Sequence, residues 1–420
     1  MSEASPSVTP ADEPGSTVPT SQDVGQDAPS RTVASWAPGQ ARGDGKVAYR
    51  SPNTGQPLVL DTAHSLSAPG ERWPVIDAIP YLRVGSEDLA ARALHHLDHG
   101  RPDEAAAHLL AENDPWWDEA PPPHEQLLGV VRRRRTLTLR EAMAGLGWGR
   151  VGDYFAYRWS DPTYLAGLTI LDRHWCRPES AFEVACGIGH YLRALSRAGV
   201  ARVAGGDVVW GKLWVARYWV CPEAELVCFD AEAARWPIAV TADLVTCHDA
   251  FYFLRDKEAA ARRIREGARE LYAVPHVHDA DAETYSSGAA VTRDALEGVF
   301  PGAVTYDDAE LTRAGAAGDA PAPLRPRARV DEALSVVGGP ALAEPRLPSS
   351  LLRPADGTPL VRNPLLTPDG IAWPSDRYRD EYGPLATYGR AGRVPERAAM
   401  SEGVAPLVRT RDLLDLPERW

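Results

Sequence analysis

The chain predicts an α/β fold centred on a doubly wound sheet, with a small β-rich module and a helical hairpin ahead of it. Three observations carry that prediction. From residue 181 to about 280, short apolar runs each end in an acidic or polar residue. The first run, ending at Phe182-Glu183-Val184, passes into a small-residue turn, Ala185-Cys186-Gly187-Ile188-Gly189. That turn opens the amphipathic stretch His190-Tyr191-Leu192-Arg193-Ala194-Leu195. A doubly wound sheet binds its ligand beyond the carboxyl ends of its strands, so polar residues at successive strand ends are what it requires.

Composition bounds the reading. A chain of 420 residues is long enough for two or three domains with a full core, and an apolar share of 44% is ordinary for a globular protein. No apolar run approaches the roughly 20 residues that span a bilayer. The N-terminus is acidic and has no apolar signal segment, so no membrane association is expected and the cytoplasm is the expected location. A net charge of -13 argues against nucleic acid as partner; the run Arg132–Arg135 reads as a solvated helix face. The 5 cysteines include no C-x-x-C pair. They read as buried free thiols in a reducing compartment, with no cysteine zinc site.

Residues 1–45 are rich in Pro, Ser, Thr, Asp and Gly and are expected to be a disordered tail, because they bury too little to offset their ordering entropy. Residues 46–85 read as a β-rich module: a turn at Ser51-Pro52-Asn53-Thr54-Gly55, a strand at Pro57–Leu60, and a strand pair or bulge over Trp73–Leu82. Residues 86–150 read as a hairpin and linker helices. Ser86 is the expected cap of a helix through Asp98, with Leu89, Ala93, Leu94 and Leu97 on one face. Gly100 stops it, and Pro102 starts a second helix through about Ala111. Further helices are expected over 124–146 and 161–172.

Residues 151–340 hold the sheet. Strand one ends at Glu183. Strand two, Arg202–Gly206, ends at Asp207, which is 207 − 183 = 24 residues later; an acidic group roughly 20 residues on is placed to accept both ribose hydroxyls of a nucleoside. Strand three, Leu226–Phe229, ends at Asp230. Strand four, Asp243–Cys247, ends at His248-Asp249, with Asp243 read as a structural group. Strand five, Leu271–Val274, ends at Pro275-His276-Val277-His278. Residues 341–420 are Pro-rich but keep an aromatic, charged cluster over Trp373–Gly383. That cluster is expected to pack onto the sheet domain or onto another subunit, the second case making a homo-oligomer.

An acidic residue followed by x-G-x-G-x-G, with further acidic strand ends in register, resembles the class I S-adenosylmethionine-dependent methyltransferases. Ala185 stands where their first glycine would be. The resemblance covers 181 to about 280 and implies a Rossmann-like doubly wound sheet with S-adenosylmethionine as cofactor. It places Ala185, Gly187 and Gly189 under the methionine part with Glu183 in support, Asp207 on the ribose, Val208 beside the adenine, Asp230 and Ala231 on the adenine edge, and His248 under the methionine. It also implies that Ala303–Tyr306 and Ala333–Val337 form an antiparallel pair closing the sheet. The block 46–85 resembles the small zinc-ribbon-like domain that accompanies several methyltransferases. Ser51 and Thr54 stand where its first cysteines would be, so the resemblance implies a metal-free docking module.

A nicotinamide-binding Rossmann domain is the nearest rival. It asks for a third glycine where this chain has Leu192, and that glycine is what lets helix and strand approach. Methyl transfer needs an acceptor held in line, and a base only if the acceptor must lose a proton. The candidates are His248, Asp249 and His276, with Tyr252 and His278 beside them. His276 and His278, at i and i+2 in extended chain, share a face. With no third ligand nearby they give no metal site. Asp153–Trp159 reads either as a pocket wall whose arginine meets a carboxylate or as a core helix. The expected function is methylation of a small-molecule acceptor, plausibly in specialised metabolism. The alternatives are a cofactor-fold scaffold without turnover and an RNA methyltransferase.

Overall fold

The computed structural model describes residues 49–112, 120–282, 288–326, 328–342 and 351–420. The expected tail 1–45 lies outside them. Four antiparallel strands come first: β1 Val59–Thr62, β2 Ser65–Ala68, β3 Glu71–Ile76 and β4 Ile79–Pro80. Ser51 is fully buried, and its Oγ accepts the backbone N–H groups of Asn53 (3.1 Å) and Thr54 (2.9 Å). A hydroxyl thus closes that turn. The β3–β4 connection is the two-residue turn Asp77-Ala78 with both φ positive (51° and 62°), the geometry that matches strand twist in a tight hairpin.

Helices α1 Glu87–Asp98 and α2 Pro102–Leu110 pack as a hairpin. Ser86 precedes α1 but does not cap it; its hydroxyl donates to Glu112 at 3.1 Å. The helical stretch expected over 124–146 holds two helices, α3 His124–Arg132 and α4 Leu139–Gly145. Thr138 breaks it, because its side chain and that of Glu141 form a reciprocal capping box that starts α4 afresh. α5 Gly149–Tyr157 and α6 Pro162–Arg173 follow. All residues of α6 are buried, since it lies under the sheet against β9 Ala268–His278 and α11 Asp308–Ala317.

The central sheet adds β5 Ser180–Val184, β6 Arg202–Asp207, β7 Glu225–Cys228, β8 Ala242–Thr246, β10 Val304–Asp307 and β11 Ala333–Gly338, in the order β10-β11-β9-β8-β5-β6-β7. The five strands β5 to β9 pair in parallel; β11 runs antiparallel between β9 and β10. Every residue of β5 and β8 is buried, as continuous apolar strands covered on both faces must be. α7 His190–Arg197 follows β5, α8 Trp210–Val215 follows β6, α9 Lys257–Gly267 follows β8, and α10 Arg293–Val299 precedes β10. Asp243 binds the backbone N–H groups of Glu179 and Ser180 (2.9 Å each) and Arg269, at the amino ends of the strands and away from their carboxyl ends. Leu82 N donates to Cys228 O at 2.8 Å, so the N-terminal strands cover the β7 edge that would otherwise be unpaired.

The C-terminal extension packs onto this same chain. Buried Asn363 accepts from Ser160 and donates to Arg411 O, while Arg411 donates to Trp159 O. Arg193 grips Asp415 with both guanidinium nitrogens. One helix of the extension, α12 Asp376–Tyr382, buries Tyr378 and Tyr382. Among the described residues no helix is long and apolar enough to cross a membrane. All five cysteines are free thiols, four of them buried.

Candidate active site

A cavity of about 800 Å³ lies at the carboxyl ends of the parallel strands. Its lining takes in Glu183, Ala185, Gly187, Asp207, Val208, Asp230, Ala231, His248, Asp249 and His276 from the residues named above. Gly189 is the exception. It sits behind the turn at φ 83° as the N-cap of α7, where a Cβ would meet Ala216 and Cys221. Its contribution is conformational.

The turn is pinned from β6. Asp207 Oδ2 accepts Gly187 N–H (2.9 Å) and Oδ1 accepts Val209 N–H (3.0 Å), with Lys212 Nζ 3.9 Å away. Gly187 (φ 54°) leaves a cradle, since a Cβ there would stand 3.2 Å from the Phe155 ring. Ala185 holds φ 55°, the left-handed region that costs an L-residue about 1–2 kcal/mol. Ala185→Gly removes that strain but frees the unfolded chain by about 0.4–1 kcal/mol. The variant should therefore be as stable as the native chain or gain up to ~1.6 kcal/mol; thermal melting checks this, and a clear loss would refute the strain.

Glu183 and His248 form a buried pair, Oε1 to Nδ1 3.1 Å, with His248 stacked on Tyr191 at a centroid separation of 3.5 Å. Burial pushes Glu183 well above the usual carboxylate range and His248 well below the usual imidazole range, so both tend to be neutral. Glu183 Oε2 and His248 Nε2 are buried with no hydrogen-bond partner among the described residues. Buried polar atoms are rarely left so unless something else meets them.

The far half is built around Asp249. Tyr154 Oη donates to Oδ2 (2.7 Å), Tyr252 Oη to Oδ1 (2.8 Å), and Arg158 pairs with Oδ2 at 3.0 Å. Burial would raise Asp249, but Arg158 and His276 outweigh it and hold the carboxyl below its usual range. His276 Nδ1 meets Asp308 Oδ2 at 2.7 Å and its Nε2 faces Asp249 Oδ1 at 3.7 Å. Burial would lower His276, yet the two carboxylates prevail and raise it to about 9. Its carboxylate neighbours thus favour the imidazolium form. Arg158, read as a possible carboxylate receptor, is instead consumed by Asp249. Tyr154 and Phe155 line the cavity, while Trp159 is buried in the core.

Several lining residues had no signal strong enough to place them. Arg83, from the N-terminal module, pairs with Glu112 (2.8 Å) and donates to Val208 O. From α12 and its N-cap come Ser375, Arg377, Tyr378, Glu381 and Tyr382. The aromatic content of 373–383 marked a segment that packs, but nothing local says which surface it meets.

Residues 182–269 match the family model described as a methyltransferase domain. No curated protein sequence matches the chain. Solved structures similar in fold include the S-adenosylmethionine-bound amino pentose methyltransferase CalS10 from Micromonospora echinaspora (14% identity, 44% of this chain and 95% of that one, TM-score 0.31). Another is a protein from Thermotoga maritima described as a possible histamine N-methyltransferase (15%, 45% and 95%, 0.32). A third is DesVI from Streptomyces venezuelae (14%, 44% and 95%, 0.32). The matched residues 182–269 run from β5 into β9, the part of the Rossmann-like sheet whose strand ends line the cavity.

Proposed function

We propose that the chain is a methyltransferase that binds S-adenosylmethionine in this cavity and methylates a small molecule held beside it. One observation carries this reading. The cavity lined by the cofactor signature is also walled by Tyr378, Glu381 and Tyr382 of α12, so in this reading the acceptor space is shaped by the chain's own extension. A polymer would need an open basic groove, and the net charge of -13 argues otherwise. In this reading Glu183 supports the methionine end, Gly187 gives it backbone access, Asp207 holds the ribose, and Asp230 with Ala231 holds the adenine. The bound cofactor supplies an electrophilic methyl on sulfur. The residues' task is then to fix the acceptor in line with the C–S bond, about 3 Å away, and to exclude water. His248, whose Nε2 has no partner among the described residues, is placed to meet a polar group of the bound ligands.

Ala185 at positive φ favours a second reading, a scaffold that keeps the fold without turnover. Calorimetry with S-adenosylmethionine and S-adenosylhomocysteine separates them, followed by a screen of metabolites for one added methyl group. Binding of both ligands and a methylated small molecule are expected. Binding without any transfer supports the scaffold, and transfer to RNA alone would overturn the small-molecule reading.

A further inference from the structure

We infer that Asp249, His276 and His278 bind one divalent transition-metal ion, and that this ion takes up the hydroxyl of an alcohol or phenol acceptor; the second clause rests on the methyl-transfer reading. The sequence offered only two histidines on one strand face. The fold supplies the third group: β8 and β9 are parallel neighbours, so the residue beyond β8 arrives beside the last turn of β9. One ligand atom from each of the three lies within 4.8 Å of the others. Small side-chain rotations bring such a set to one ion at metal–ligand distances of about 2.0–2.2 Å.

The surroundings are those of a held ligand set. His276 has Nδ1 fixed by Asp308, which also accepts from the Ser335 hydroxyl, so Nε2 is turned toward Asp249. A carboxylate on the far nitrogen is the usual way a metal-binding imidazole is oriented. His278 is only 3% exposed, and its Nδ1 has no hydrogen-bond partner among the described residues; a purely structural histidine would have found one. Asp249 is steadied on both oxygens by Tyr154, Tyr252 and Arg158. Asp249 and His276 both hold positive φ (49° and 56°), strain that persists where the surrounding structure enforces it.

Two imidazoles and one carboxylate suit zinc, iron(II) or manganese better than magnesium or calcium, which prefer all-oxygen sets. Three protein ligands leave positions open, and all three residues line the cavity. A hydroxyl bound there is acidified, as metal-bound water is. Its proton passes to solvent. The oxygen lone pair then forms the O–CH₃ bond while the CH₃–S bond breaks, and that bond's electron pair returns to sulfur, leaving a neutral thioether. No other co-reactant is needed.

The test uses the full chain freed of metal by chelation, then titrated with Zn²⁺, with Mn²⁺ followed by electron paramagnetic resonance, and with Mg²⁺. Surface histidines 95, 99, 108 and 124 can take up zinc weakly, so the site is the equivalent that His278→Gln removes. Expected are one tight equivalent of Zn²⁺ or Mn²⁺, Mg²⁺ weaker by at least ~100-fold, and loss of that equivalent in His278→Gln. Asp308→Asn should weaken the ion by about 10–100-fold, and serves alone if His278→Gln does not fold. Affinity for S-adenosylmethionine in either variant should stay within about threefold of native. Absence of stoichiometric Zn²⁺ and Mn²⁺ binding by the native chain overturns the site, as does undiminished binding in folded His278→Gln. An ion that binds while S-adenosylmethionine does not would sink the cofactor reading and leave the ion site standing.

Discussion

Arg158→Met should cost the fold about 3–5 kcal/mol, the amount expected when a buried ion pair loses one partner and the other charge is left in place. Arg158 is 2% exposed and meets Asp249 at 3.0 Å, Asp161 at 3.6 Å and the Thr163 hydroxyl. Methionine fills much of the same volume, so the loss is of charge and hydrogen bonds more than of packing. Asp161 suffers less than Asp249: burial already pushes its pKa well up, and the Tyr378 hydroxyl also reaches it. Asp249 keeps Tyr154 and Tyr252 but no guanidinium. Denaturant melts of Arg158→Met, Asp249→Asn and the double variant close a thermodynamic cycle. The double variant should regain at least half of what Arg158→Met loses. Native-like stability in Arg158→Met would show that the far half of the site is not held by this charge.

What the sequence disclosed, and what it hid, follows from the range of the interactions. β5 to β9 were legible because a buried parallel strand is a local apolar run, and because the polar residue at its end is a local mark. The observed strands differ from the expected ones by a residue or so, except β9, which extends to His278 and so takes its two histidines into the sheet. Asp243 was legible as structural for the same reason: it begins a strand rather than ends one. The helical character of 124–146 was legible, but the break between α3 and α4 was not read, because it is set by a capping box at Thr138. The third partner of His276 and His278 was illegible, because it depends on which strands become neighbours. So was the fate of Arg158. Its fork could serve a substrate or a neighbour equally well in sequence, and Asp249 lies 91 residues away along the chain (249 − 158). The hydroxyl of Tyr378 reaches Asp161 across 217 residues; no local pattern encodes that contact. Ala185 was legible as a departure but not as strain, since its φ is set by the turn that Asp207 pins.

Asp207→Ala should weaken S-adenosylmethionine binding by about 100-fold. Two hydrogen bonds from ribose hydroxyls to a carboxylate are worth about 1.5 kcal/mol each at the low end, and a factor of 10 in affinity is 1.4 kcal/mol. The same carboxylate also holds Gly187 N–H and Val209 N–H. Its removal loosens the turn as well as the contact, so 100-fold is a lower expectation. Asp207→Asn keeps one acceptor oxygen and should lose about 10-fold. Asp230→Ala should also lose about 10-fold, because Asp230 is less enclosed and its carboxylate holds only the local Glu232 N–H (2.8 Å), not the glycine turn. Calorimetry on variants with native circular dichroism reads all three. The order matters more than any one value. A loss in Asp230→Ala exceeding that in Asp207→Ala would put the nucleoside the other way round in the cavity, and equal binding by all three would remove it from these strand ends altogether. The expected order follows from one geometric fact: Asp207 is the only one of the two strand-end aspartates whose carboxylate bridges the glycine turn and the loop after β6, so it alone couples cofactor contact to the shape of the turn.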